Sequence, residues 1–122
     1  MLRALPRLWL CTVPADMRRQ YDGLAALVAQ QMDGDPLSGQ GFVFINRRRT
    51  QLKCLYFEEG GYCLWSKRLE RGQFARLSAG QGSKRALTRT EFEALIEGLD
   101  LAIKRRRKRW SKGFPLGAAM GE

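Results

Sequence analysis

The chain has 122 residues, 44% of them hydrophobic and 28% charged, which is one domain's length and too apolar for a disordered protein. Lysine and arginine outnumber aspartate and glutamate 22 to 12, giving a formal net charge of +10 and a protein suited to polyanions. There is no histidine, which excludes His-based triads and Cys/His zinc sites.

Leu8 to Val13 is short, apolar and rich in strand formers, and Pro14 stops it. The run is too short for a secretory core, and no segment approaches the roughly 18 apolar residues of a membrane span. A cytoplasmic protein with no membrane association is therefore expected. Asp16 offers an N-cap, and Met17, Tyr21, Leu24, Val28 and Met32 trace one helical face with Leu27 beside it. The spacing predicts a helix over 17–32, ended by Asp33-Gly34-Asp35-Pro36.

Phe42 to Ile45 is apolar on both faces and reads as a central strand. Asn46 to Thr50 reads as a hairpin loop, Leu52 to Phe57 as a second strand, and Glu58-Glu59-Gly60-Gly61 as a tight turn. Tyr62 to Leu69 gives a third strand, and Phe74 to Leu77 a possible fourth. Loops this short make an antiparallel meander. Ser78 to Lys84 reads as a flexible connector. Thr88 and Glu91 form a capping box, with Thr90 and Glu93 as a competitor. Phe92, Leu95, Ile96, Leu99 and Ile103 then mark a helical stripe over 90–103.

The six residues Lys104, Arg105, Arg106, Arg107, Lys108 and Arg109 are all basic, and without them the net charge falls from +10 to +4. The segment from Gly113 to Ala119 has no periodicity and is expected to be disordered. The fold expected is α+β: a small antiparallel sheet of three to five strands packed against two helices. It forms one domain over residues 1–103, followed by a basic run and tail over 104–122.

No catalytic constellation is visible. Asp16 is a cap, Asp33 and Asp35 belong to a turn, Glu58 and Glu59 to a hairpin tip, and Glu91 and Glu93 to a helix start. No carboxylate pair lies inside an apolar strand, where a metal ligand would be held rigidly. No G-x-S-x-G is present, and Gly39-Gln40-Gly41 precedes a strand, the wrong context for a phosphate loop. Cys11, Cys54 and Cys63 each sit in an apolar run and read as buried reduced thiols. No enzyme activity, cofactor or metal is expected.

The basic residues are the signal above background. Arg47, Arg48 and Arg49 occupy the first hairpin loop, and Lys67, Arg68 and Arg71 lie at the end of the third strand. A meander returns that end to the edge of the first hairpin, so the two groups are expected to form one nucleic-acid-binding patch. Lys104 to Arg109 would add a generic polyanion contact. Trp65 shares strand parity with Lys67; it is read as core, with a stacking platform as the alternative.

Several segments, TVPADMRRQYDGLAAL from Thr12, DPLSGQGFVFINRRR from Asp35, KCLYFEEGG from Lys53, YCLWSKRLERG from Tyr62 and LIEGLD from Leu95, carry a resemblance. The chain resembles the small accessory protein encoded by the second reading frame of the bacterial insertion sequence sixty-six family. The resemblance spans roughly residues 8–103 and departs at Phe57 and Ser66, where relatives are expected to carry Trp and Tyr. It implies a non-catalytic role in DNA transposition beside a larger transposase that holds the acidic catalytic residues. The expected partners are DNA and that transposase. A protein-only adaptor of the transposase and a general RNA-binding module stand as alternatives. The oligomeric state is not legible.

Overall fold

The computed structural model describes residues 5–77 and 82–97. In chain order it contains β1 (Leu8–Cys11), α1 (Tyr21–Gln31), β2 (Gly41–Ile45), β3 (Gln51–Glu58), β4 (Gly61–Arg68), β5 (Lys84–Leu87) and α2 (Arg89–Ile96). The strands form one sheet in the order β4-β3-β2-β1-β5. This is the α+β class that the sequence implies.

The meander β2-β3-β4 is antiparallel throughout. Its second hairpin closes through Glu59 and Gly60, at φ 52° and 83°, between the paired residues Glu58 and Gly61. Two successive positive φ angles make a two-residue turn whose twist matches that of the strands. β1 pairs antiparallel with β5 but parallel with β2. The parallel pairing follows from connectivity, because α1 carries the chain back across the sheet before β2 starts.

Alternation along the strands sorts the core into two layers. Leu8, Leu10, Val43, Leu52, Cys54 and Leu87 face α2, together with Phe74, Phe92 and Leu95. Cys11, Phe42, Phe44 and Leu55 face α1, against Leu24, Val28 and Met32. Phe42 to Phe44 are buried whichever way they point, as expected of a strand covered on both faces.

The first helix begins four residues later than its apolar spacing predicts. Its N-cap is Gln20, without a side-chain bond, and Asp16 caps a turn instead: its carboxylate accepts from the Arg18 N–H at 2.9 Å and pairs with the Arg18 guanidinium at 2.7 Å. The cause lies on β3. Buried Lys53 donates from Nζ to the carbonyls of Met17 and Arg19, turning those groups away from a helical ladder.

Phe74 to Leu77 is not a strand. Phe74 is fully buried beneath α2, and its N–H donates to the Arg49 carbonyl at 2.7 Å, so the segment is a strap across the first hairpin loop. The sheet position beside β1 is taken by Lys84–Leu87, which begins inside the expected connector. At α2 the first capping box prevails: Thr88 Oγ1 accepts from the Glu91 N–H, and the Glu91 carboxylate accepts from the Thr88 N–H. The expected helix to residue 103, the run from Lys104 to Arg109, the tail and positions 78–81 lie outside the described residues. Among the described residues no helix is long and apolar enough to cross a membrane.

Candidate nucleic-acid interface

The pairing register gathers the basic residues at one end of the sheet. That end holds the finish of β1, β2 and β4 and the start of β3 and β5. Arg68 lies opposite Gln51, and the Leu69 N–H donates to the Thr50 carbonyl at 2.8 Å, bringing residues 67–71 beside the loop that carries Arg47, Arg48 and Arg49. The acidic tip Glu58–Glu59 sits at the opposite end, so the sheet is polarised in charge.

The loop shapes itself through Asn46. The Asn46 Oδ1 accepts from the N–H groups of Thr50 and Gln51 at 2.8 and 3.0 Å, and the Asn46 carbonyl accepts from the Arg49 N–H at 2.9 Å. These bonds close a turn whose last residue, Arg49, takes φ 58°. The apex residues Arg47 and Arg48 are left exposed.

The three arginines therefore differ. Arg49 Nε donates to the Phe74 carbonyl at 2.9 Å, and the Arg49 carbonyl accepts from Phe74, so this side chain and the strap clasp each other. The Arg48 carbonyl accepts from Gln73 Nε2 at 2.9 Å, which adds a second stitch and leaves the guanidinium outside. Arg47 and Arg71 are exposed and have no side-chain partner among the described residues. Arg68 is exposed and paired with Glu70 at 3.4 Å.

Lys67 and Trp65 serve the interior. Lys67 Nζ donates to the Ile96 carbonyl, placing a cation at the C-terminal end of α2, where the helix dipole favours it. Trp65 packs edge-on against Phe92, ring centroids 6.4 Å apart, at the margin of the α2-side core. The core reading of Trp65 is the one the structure supports. Lys67 is at the predicted sheet end, half-buried, with its ammonium on the last turn of α2.

A residue that the sequence did not single out joins the site. The strap carries Arg76 to a cleft of about 160 Å³ at the carboxyl ends of the parallel strands β1 and β2. Arg47, Arg49 and Arg76 line it together with Val13, Pro14 and Leu77. Read as part of a strand, Arg76 is an ordinary outward cation between two apolar neighbours, and nothing in the sequence marks it.

Two carboxylates at this end are tied to single arginines, Asp16 to Arg18 and Glu70 to Arg68. The Arg18 guanidinium holds the Asp16 carboxyl well below the usual carboxylate range. No group of three His, Cys, Asp or Glu able to hold a metal ion occurs among the described residues.

A family model described as IS66 Orf2 like protein matches residues 6–106. Two uncharacterized proteins of Sinorhizobium fredii, y4jC and y4hO, are 37% and 36% identical to the chain over 94 residues. Those residues are 77% of this chain and 80% and 81% of the two relatives. No solved structure matches the chain.

Proposed function

The chain belongs to the IS66 Orf2-like family, and from that membership we propose that it is a non-catalytic, cytoplasmic accessory factor for the transposition of an insertion sequence. It works beside a separate transposase and contacts nucleic acid through the basic end of its sheet. The observation that carries the reading is the gathering of exposed Arg47, Arg48, Arg68 and Arg71 at one sheet end. Guanidinium groups spaced along a surface suit successive backbone phosphates and contribute affinity without reading bases. Lys104 to Arg109 add six further basic residues to the chain.

The test is co-purification with the transposase of the same element, with and without nuclease treatment, beside direct DNA binding across salt. Salt-sensitive binding of DNA by the isolated protein is expected, with a log–log slope of roughly −4 to −5 for about 5 phosphate contacts. Capture of the transposase that survives nuclease, with no DNA binding near ~50 mM salt, would identify a protein-only adaptor instead. Metal-dependent nicking by the pure protein, abolished by one Asp or Glu substitution, would overturn the non-catalytic assignment.

A further inference from the structure

We propose that the cleft at the carboxyl ends of β1 and β2 is a phosphate-ester site, in which Arg47, Arg49 and Arg76 hold one phosphate of a nucleic-acid strand. The proposal rests on the nucleic-acid reading above and names the chemistry of one part of that surface.

Three observations converge on it. The cleft is lined by three arginines and by no aspartate or glutamate. Guanidinium groups stay charged at any physiological pH, so three arginines around one concavity favour the entry of an anion. Arg47 and Arg76 are exposed and have no side-chain partner among the described residues, so their donors are available. The third is pre-set: its Nε bond to the Phe74 carbonyl fixes the plane of the Arg49 guanidinium before any ligand arrives.

The position and size define the ligand further. The cleft lies at the carboxyl ends of β1 and β2, the parallel pair of the sheet. At about 160 Å³ the cleft is smaller than the ~300–1,000 Å³ typical of pockets for whole cofactors. It suits a phosphate and the adjoining sugar edge, the latter against Val13, Pro14 and Leu77. No aromatic ring lines it, so no base is stacked there and recognition stops at the phosphate. Exposed Arg48, Arg68 and Arg71 at the same sheet end offer contacts to the next phosphates of a continuous strand, which an isolated carboxylate would not use.

The experiment is a nuclear magnetic resonance titration of the full chain. The probes are inorganic phosphate, a short thymidine oligonucleotide with and without a 5′-phosphate, and hexaglutamate. Saturable shifts are expected at the amides of Thr12, Val13 and Arg76 and at the Arg49 Nε–H. Arg76→Ala should weaken phosphate and oligonucleotide binding about tenfold with the thermal midpoint unchanged. Arg7→Ala removes the same charge at the opposite sheet end and should leave these shifts as they are. A preference for the 5′-phosphorylated strand assigns the site to a terminal phosphate; equal binding assigns it to the backbone diester.

Shifts spread over all arginines without saturation would overturn the site, as would saturation of the cleft by hexaglutamate alone. Oligonucleotide binding that leaves the cleft resonances unmoved refutes the site and spares the nucleic-acid reading. Inorganic phosphate seated in the cleft of a protein that binds no oligonucleotide refutes that reading and shows the cleft to be a site for free phosphate.

Discussion

The ammonium of Lys53 lies 2.8 Å from the carbonyl oxygen of Met17, joining the first half of β3 to the segment that leads into α1. A second bond runs to the Arg19 carbonyl at 2.9 Å. Lys53 is only 4% exposed, and a buried cation is tolerated when hydrogen bonds replace its water. Here two backbone carbonyls do so, and the same bonds fix where α1 starts.

Lys53→Met should therefore strip two carbonyls of their donor while keeping the apolar stem. The expected cost is about 1–3 kcal/mol, read as a lower urea midpoint with unchanged slope. Hydrogen exchange should accelerate first at Leu24, whose N–H bonds the Gln20 carbonyl in the opening turn of α1. Stability equal to wild type would mean that the segment is held by its apolar contacts alone.

Within the arginine triplet, stability and binding should separate. Arg48→Ala removes an exposed side chain that has no partner among the described residues and keeps the backbone carbonyl that Gln73 bonds, so stability should change by no more than about 0.5 kcal/mol. DNA affinity should fall, and the salt slope should flatten by roughly 1. Arg49→Ala removes the side-chain half of the clasp with Phe74 and should cost about 1–2 kcal/mol besides weakening binding. Paired melting and binding curves for the two variants check both statements.

Acid should destabilise the protein in a window set by Glu91. Its carboxyl is held at about 2 rather than the usual 4.5, first by the hydrogen bonds from the Arg85 guanidinium and then by the Thr88 N–H, working against its partial burial. A lowered folded-state value means that the stabilisation is complete above the unfolded value near 4.5 and is lost as pH falls toward 2. With the two side chains 22% and 23% exposed, solvent screening limits the effect to on the order of 1–2 kcal/mol. Glu91→Gln should lower stability at pH 7 and flatten the profile between about 4.5 and 2, measured by thermal melts across that range.

The thiols should react in order of cover. Burial pushes Cys54 up to about 12 and raises Cys11 as well. Cys63, on β4, is only half-buried. A thiol reagent at neutral pH should modify Cys63 first and Cys54 only on global unfolding, with mass spectrometry of timed samples giving the order. Early modification of Cys54 would contradict its place in the core.

The sequence makes the meander legible because each of its strands carries its own alternation and each hairpin its own turn residues. Phe42 to Ile45 needs no partner to be recognised as a central strand. The elements that escape are those decided at a distance. The start of α1 is set by Lys53, which bonds Arg19 from 34 positions away. Lys84 to Leu87 has no β-branched residue and becomes a strand because β1 offers it a ladder. The strap at Phe74 has strand-like composition, yet its backbone is claimed by Arg49. The candidate site divides the same way. The triplet and the 67–71 cluster are legible as charge; the inward turn of Lys67 and the recruitment of Arg76 depend on where α2 and the strap fall.

The interior position of β1 carries a consequence for how the molecule assembles. Its two neighbours, β2 and β5, come from far along the chain, and Leu8 pairs with Leu87 across nearly the whole described length. The hairpins of residues 41–68 close quickly, since their loops are short. The row of N–H and C=O groups along the apolar β2 stays open until β1 docks, and β1 itself lacks a partner on its outer side until residues 84–87 arrive. Synthesis and refolding thus share one vulnerable interval, in which a sticky sheet edge is exposed to other chains. Any covering supplied in that interval, by a chaperone or by a protein made from the same element, would raise the yield of folded protein without altering the finished structure.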